Sequence, residues 1–341
     1  MSPVRSLCGL AICLLLIAMP AATSSRGTGY RNLRDFDGDH ITDLTVVRVD
    51  SPASQAVWYV RRSSDGAMSV MPWGTGTDHF ISADFDGDGL ADHTVTRRIG
   101  PTIWWYTRRS TDGGLSAVGW GSSANFDPPL IGDFDADGKA DVAVYRFTDW
   151  TFYARKSSDG SMIAQPWGGN NNGTPVIGDW DGDGRSDFGV FGWNVWNPLP
   201  PAQFFYLLQS TAGVAITQWG SFITASDFDK PIFGGDYDGD GKDDLAVVRH
   251  HTANPHLWFV RLSSTGAMLA AEWGTMNEPD FPTPGDYDGD GKWDIAVYRA
   301  SNPAGYYYIR RTSDGSLMVI QWGGPQFLSV GHCQLSHYGC A

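Results

Sequence analysis

One pattern constrains this chain more than any other. The nine-residue stretch 236–244, Asp-Tyr-Asp-Gly-Asp-Gly-Lys-Asp-Asp, has five close relatives, at 35–43, 84–92, 133–141, 179–187 and 286–294. Their first aspartates lie 49, 49, 46, 57 and 50 residues apart. A period of that size marks an array of small supersecondary units and takes precedence over residue-by-residue reading. After each acidic stretch comes a β-branched or apolar run, such as Leu-Thr-Val-Val-Arg. An aromatic run such as Val-Trp-Tyr-Val-Arg-Arg-Ser follows, then a turn, then a segment ending in Trp-Gly. Four of the six turns are Asp-Gly, at 65–66, 112–113, 159–160 and 314–315. That dipeptide suits hairpin turns, whose central residues must reach φ > 0. Another short apolar run, such as Pro-Leu-Ile-Gly, stands just before the acidic stretch. Four short strands in about 50 residues predict one blade of a β-propeller.

Six copies predict an all-β, six-bladed propeller over 26–332, with a seven-bladed ring containing one incomplete blade as the alternative count. The strand-like run Phe-Leu-Ser-Val-Gly at 327–331 is expected to pair with the first unit and close the ring. The run Gly-Tyr-Arg-Asn-Leu-Arg at 29–34 competes for that place.

Glu272 and Glu278 are the only glutamates among 38 acidic residues. Aspartate favours turns and metal loops over helices. In each loop, carboxylates occupy positions 1, 3, 5 and 9. These are Asp35, Asp37, Asp39 and Asp43 in the first loop and Asp84, Asp86, Asp88 and Asp92 in the second. Asp133, Asp135, Asp137 and Asp141 follow, then Asp179, Asp181, Asp183 and Asp187. The last two sets are Asp236, Asp238, Asp240 and Asp244, and Asp286, Asp288, Asp290 and Asp294. Four converging carboxylates repel one another unless they protonate or bind a cation. Oxygen donors at alternating positions, with glycine at position 6, match the first half of an EF-hand loop and predict up to six calcium ions. Position 7 would add its main-chain carbonyl, leaving its side chain free to be Ile41, Leu90, Lys139, Arg185, Lys242 or Lys292. The first loop is expected to be the weakest, because His40 replaces the glycine. Six divalent ions would lift the formal charge of −14 by 12, to −2. Acidity is then internal to the loops, and no basic stripe marks a nucleic-acid interface.

The loop, the Ala-Val-Tyr-Arg strand, the Trp-Tyr-Val-Arg-Arg-Ser-Ser-Asp-Gly hairpin and the closing Trp-Gly resemble the FG-GAP/VCBS repeats of secreted and surface proteins. The resemblance covers nearly all of 35–323. It implies a calcium-binding propeller related to the integrin α-subunit head and to a fungal propeller lectin. Such repeats occur in adhesins, lectins and some carbohydrate lyases and dehydratases, so the fold does not set the activity.

The first 25 residues combine Arg5, an apolar run from 7 to 19 and small residues before 26. They predict a secretory signal peptide, and with it an extracellular, cell-surface or periplasmic protein without a membrane span after cleavage. In such an oxidising compartment Cys333 and Cys340 of the 333–341 tail are expected to form a disulfide.

Residues present in every copy are expected to build blades. Trp58, Trp105, Phe152, Phe205, Trp258 and Tyr307 recur in register, as do Tyr59, Tyr106, Tyr153, Tyr206, Phe259 and Tyr308. Packing between blades is their expected role, with sugar stacking as the functional alternative. Arg48, Arg97, Arg146, Arg249 and Arg299 are expected to pair with turn or loop aspartates. Residues that break the repeat are the candidate ligand contacts. An insertion in the fourth unit carries Trp193, Asn194, Trp196 and Asn197, and the equivalent loop of the fifth carries His250, His251 and His256. Indoles flanked by amides suit pyranose rings, which present both apolar faces and hydroxyls. No nucleophile elbow, zinc-protease helix or phosphate loop is present. The expected function is extracellular recognition or adhesion, of carbohydrate first and otherwise of a cell-surface protein. A polysaccharide lyase or dehydratase using those histidines is the alternative, as is a protein-binding scaffold.

Overall fold

The computed structural model describes residues 33–169, 173–193, 202–224, 227–232, 234–251, 255–275 and 280–330. The signal segment and the Cys333–Cys340 pair lie outside them. Among the described residues there is no helix. The first unit contributes β1 (Leu44–Arg48), β2 (Gln55–Arg61) and β3 (Met68–Thr75). The second contributes β4 (His79–Ala83), β5 (Asp92–Ile99), β6 (Thr102–Arg108) and β7 (Leu115–Ser122). The third has β8 (Pro129–Gly132), β9 (Asp141–Arg146), β10 (Thr151–Arg155) and β11 (Met162–Pro166). In the fourth are β12 (Thr174–Gly178), β13 (Asp187–Trp193), β14 (Ala202–Gln209) and β15 (Gly213–Thr224). The fifth holds β16 (Asp227–Ile232), β17 (Leu245–His251), β18 (Pro255–Arg261) and β19 (Met268–Thr275). The sixth ends the series with β20 (Asp280–Pro282), β21 (Ile295–Arg299), β22 (Tyr306–Arg310) and β23 (Leu317–Gln321), after which comes β24 (Phe327–Ser329).

The strands form small antiparallel sheets in a propeller-like arrangement. Four sheets have four strands each, and one has eight, in the order β12 to β19. Six free-standing blades were the expectation, and this is a correction to it. Its physical cause is the length of β15, which runs 12 residues and continues past its Trp219-Gly220. Its end pairs with β16, Phe222 against Phe228 and Thr224 against Asp227, and so fuses the sheets of the fourth and fifth units.

Within each unit burial follows the pleat. In β2, Ala56, Trp58 and Val60 are buried while Val57, Tyr59 and Arg61 are half-buried, the period-2 pattern of a strand with two unlike faces. The strand after each acidic loop is covered on both sides, as in β9, where five of six residues are buried. The last strand of each unit is the opposite, exposing every second residue, as in β11 and β23. The first aromatic series, Trp58 to Tyr307, is wholly interior, 0–1% exposed.

The C-terminal run closes the first sheet as expected, with Val46, Val47 and Arg48 of β1 opposite Ser329, Leu328 and Phe327 of β24. Arg34 joins three segments at this seam. Its buried guanidinium donates to Thr283 Oγ1, to the Pro284 carbonyl and to the Val330 carbonyl.

The acidic loops are also joined to one another. The position-8 N–H of each loop donates to the position-1 carbonyl of the preceding loop. The bonds run Ala91 to Asp35 (2.6 Å), Ala140 to Asp84 (2.7 Å), Ser186 to Asp133 (2.6 Å) and Asp243 to Asp179 (2.8 Å). Trp293 to Asp236 (2.8 Å) and Thr42 to Asp286 (2.6 Å) complete the circuit, the last returning from the sixth loop to the first. Side chains at these joints are matched in size. A Cβ added at Gly132, Gly178, Gly235 or Gly285 would fall under 3.0 Å from Ser186, Asp243, Trp293 or Thr42 respectively, each at position 8 of the next loop. Where the residue before the loop is instead Ala83 or Arg34, the next loop carries only a methyl there, Ala140 or Ala91.

Candidate metal centres and the groove between units

Each acidic loop is wound around its own carboxylates. The position-1 group accepts main-chain N–H groups from within the loop, as Asp84 does from Gly87 (2.5 Å) and Gly89 (2.8 Å). Position 9 ties the loop to its hairpin. One oxygen of Asp92 accepts from the Phe85 N–H (2.9 Å) and the other from the Ser110 N–H (2.7 Å). Position 5 accepts from the position-7 N–H and from a hairpin hydroxyl, as Asp88 does from Leu90 and Ser110, both at 2.8 Å.

Position 3 is the exception. One oxygen of Asp86 accepts from Thr111 Oγ1 at 2.6 Å, while its Oδ1 is buried and has no hydrogen-bond partner. Oδ1 of Asp37, Asp135, Asp181 and Asp288 is in the same condition. A buried carboxylate oxygen left unpaired costs about 1–3 kcal/mol or more, so the same orphan in five loops needs an explanation. Oxygens of Asp84, Asp86 and Asp92 lie within 4.8 Å of one another, and so do those of the matching trios in the third, fourth and fifth loops. In the first loop the trio is Asp35, Asp37 and Asp39. These groups can hold a metal ion, and the orphaned oxygens fit one.

Burial sets the electrostatics. It pushes the carboxyls of Asp43, Asp187, Asp244 and Asp294 up to about 7, and those of Asp92 and Asp141 up to about 6. Main-chain N–H donors oppose the rise, and the position-3 carboxylate nearby adds to it. Asp35, Asp84, Asp133 and Asp286 are raised by burial as well.

In the second to fifth loops the converging trio is positions 1, 3 and 9, and in the second to fourth the position-5 carboxylate also accepts from a hairpin hydroxyl. Position 7 is not a free side chain. Lys139, Lys242, Lys292, Leu90 and Ile41 lie over Gly87, Gly182, Gly239, Gly38 and Gly289 of the preceding loop, close enough that an added Cβ would crowd them. Position 6 adopts left-handed φ, +87° at Gly89 and +94° at Gly241, and His40 is held at 68° in the same place.

Sequence reasoning missed the hydroxyls. Ser64, Thr111, Ser158, Thr211, Ser264 and Ser313 each donate to the position-3 carboxylate of their own unit. The signal was present as the recurring pair of Ser or Thr before the hairpin turn.

A second set of carboxylates anchors the arginines. Arg97, Arg146, Arg249 and Arg299 pair with Asp78, Asp127, Asp229 and Asp280 at 2.6–3.0 Å, and these four aspartates are buried. They follow the Trp-Gly pairs at varying distances, which hid them in the sequence. Arg48 pairs with exposed Asp50 instead. Between the fourth and fifth units lies a groove of about 220 Å³, lined by Trp219, Ser221, Asp229, Arg249, Phe259 and Met268. The Trp219 indole donates to the Phe259 carbonyl at 3.2 Å. Phe259, a half-buried member of the second aromatic series, therefore lines this groove.

Of the repeat-breaking candidates, Trp193 ends β13, is 39% exposed, and meets the Phe222 ring at 4.5 Å. Asn194, Trp196 and Asn197 lie outside the described residues. The main chains of His250 and His251 pair with Phe228 and Asp227, and their side chains lie outside the described part. His256 is a correction. It is the second residue of β18, on the inward face, and is 1% exposed rather than displayed on a loop. Burial lowers its pKa.

Residues 236–297 match the model of the FG-GAP-like repeat. A search of curated proteins found no match. Among solved structures the chain is similar to TolB from Acinetobacter baumannii, with a TM-score of 0.53 and 15% identity, covering 86% of this chain and 66% of that one. It is also similar to AofleA from Arthrobotrys oligospora, with a TM-score of 0.52 and 11% identity, covering 88% of this chain and 96% of that one. At such identities the likeness concerns the fold alone. The chain thus carries an FG-GAP-like repeat, within an all-β fold of propeller-like sheets.

Proposed function

We propose that this protein is a secreted, calcium-stabilised propeller of six blades that recognises carbohydrate outside the cell. The count of six treats the fused eight-stranded sheet as two blades, and the closed circuit of six loop-to-loop hydrogen bonds supports it. Calcium is the ion assigned to the loops. The donors are all hard oxygens, and magnesium takes fewer protein ligands in stricter geometry. Bound there, calcium would supply charge neutralisation and a partner for the orphaned oxygens of Asp37, Asp86, Asp135, Asp181 and Asp288.

Recognition rests on the groove between the fourth and fifth units. Trp219 and Phe259 give it aromatic walls, and the Arg249–Asp229 pair fixes polar groups at one end. That combination suits a pyranose, which buries an apolar face and hydrogen-bonds at its rim. Trp193 with its sequence neighbours Asn194 and Trp196, together with His250 and His251 of the fifth unit, is assigned as a second contact region. The test is passage of the calcium-loaded protein over immobilised polysaccharides, with and without chelator, while following ultraviolet-absorbing unsaturated products. Calcium-dependent retention without products is expected. Products would replace the reading with a lyase, and absence of both would move it to a protein partner.

A further inference from the structure

Five arginines stand at one register position, the end of the third strand of a unit: Arg61, Arg108, Arg155, Arg261 and Arg310. Each lies directly across from a large exposed apolar residue, Met68, Leu115, Met162, Met268 or Leu317, which is 59–63% exposed. Residues opposite each other in an antiparallel pair share a face. Two residues earlier on that face stand the aromatics Tyr59, Tyr106, Tyr153, Phe259 and Tyr308, of which Phe259 lines the groove described above. The arginines at other recurring positions are engaged by carboxylates: Arg62 and Arg109 by turn aspartates, and Arg97, Arg146, Arg249 and Arg299 by buried ones. Among the described residues, the five have no hydrogen bond or ion pair with any side chain. Their guanidinium groups lie beside the turn glycine in four of the units, at Gly66, Gly113, Gly160 and Gly266. Nε of Arg108 is buried without a partner. The fourth unit breaks the series with Leu208.

We infer that this shared face of the units selects acidic sugars, with a uronate carboxylate taken by the unengaged arginine while the aromatic and apolar residues hold the ring. This rests on the carbohydrate reading above and names its ligand class. Guanidinium and carboxylate are matched planar groups, able to form two parallel hydrogen bonds. The turn and loop aspartates do not take that place, because they already hold Arg62, Arg109 and the hairpin hydroxyls. Five copies around one ring also suit a polymer with a carboxylate on each residue, since linked contacts raise avidity without any new kind of contact.

The experiment uses the calcium-loaded full chain and hexamers of glucuronate, galacturonate and mannuronate, each beside its carboxyl-reduced neutral twin. Binding is measured by calorimetry at low and high salt, with a poly-aspartate peptide as a further arm. The expected result is a preference of tenfold or more for the acidic member of at least one pair, weakened by salt. Arg261→Gln should weaken it several-fold, and Gln at all five positions should abolish it, at an unchanged melting temperature. Equal binding of a neutral twin would overturn the inference and leave the carbohydrate reading standing. Binding of no hexamer would overturn both. Poly-aspartate bound as tightly as the uronates would show an acidic-peptide surface and overturn the sugar assignment.

Discussion

Stripping calcium should reverse the pH dependence of stability. Burial pushes the position-9 carboxyls up to about 6 to 7 in the folded chain, against an ordinary value of 3.8. With folded values above the unfolded one, the folded chain binds more protons between those limits, so stability falls as pH rises through that window. A group raised from 3.8 to about 7 makes folding less favourable by up to about 4 kcal/mol once the pH exceeds 7. Two or three such groups match the whole net stability of an ordinary domain, about 5–15 kcal/mol. The metal-free protein is therefore expected to melt much lower at about pH 8 than at about pH 5. With calcium the ionised carboxylates become ligands, protons compete with the metal, and the order inverts. Tryptophan fluorescence melting of the dialysed and calcium-loaded protein at both pH values reads this directly. A stripped protein that melts at the loaded temperature near pH 8, or grows more stable from pH 5 to 8, would refute the reasoning.

Three further outcomes follow from named contacts. Gly235→Ala should cost at least about 2 kcal/mol through its clash with Trp293, and Trp293→Ala in the same chain should recover part of it; urea unfolding of the double-mutant cycle reads the coupling. Arg249→Met leaves the Asp229 carboxylate buried with only the Ser221 N–H for a partner, an expected loss of about 3–5 kcal/mol in chemical denaturation. His40→Gly relieves a left-handed residue and should raise stability by about 0.5–1 kcal/mol, seen as a higher melting midpoint with calcium present.

The features readable in the sequence were those repeated at fixed offsets. The loops, the hairpins and the strand alternation depend on residues near one another in the chain, so their spacing survives from copy to copy. The closing role of 327–329 was legible for the same reason, since Phe-Leu-Ser repeats the pattern of the strand before each loop. What escaped detection depends on distance in the fold. The partners of the arginines follow Trp-Gly after a variable gap, so Asp78 and Asp229 looked unrelated. The fusion of the fourth and fifth sheets turns on how far β15 continues, and strand length is weakly encoded. His256 looked like part of a loop, yet the inward face of β18 claims it. Position 7 looked free because its contact is with a glycine one unit earlier.

The matched joints bear on how such a ring keeps its order. The repeat consensus is nearly the same in every unit and cannot tell one neighbour from another. Part of that information sits in two residues per junction, the one before a loop and the one at position 8 of the next. Gly235 accepts Trp293, whereas Ala83 packs in one cluster with Ala140. The units are keyed, each to its successor. A chain cut and rejoined at another junction keeps every key in its lock and should still assemble. A chain with two units exchanged would set an indole against a methyl, and that shuffled order is the one this ring rejects.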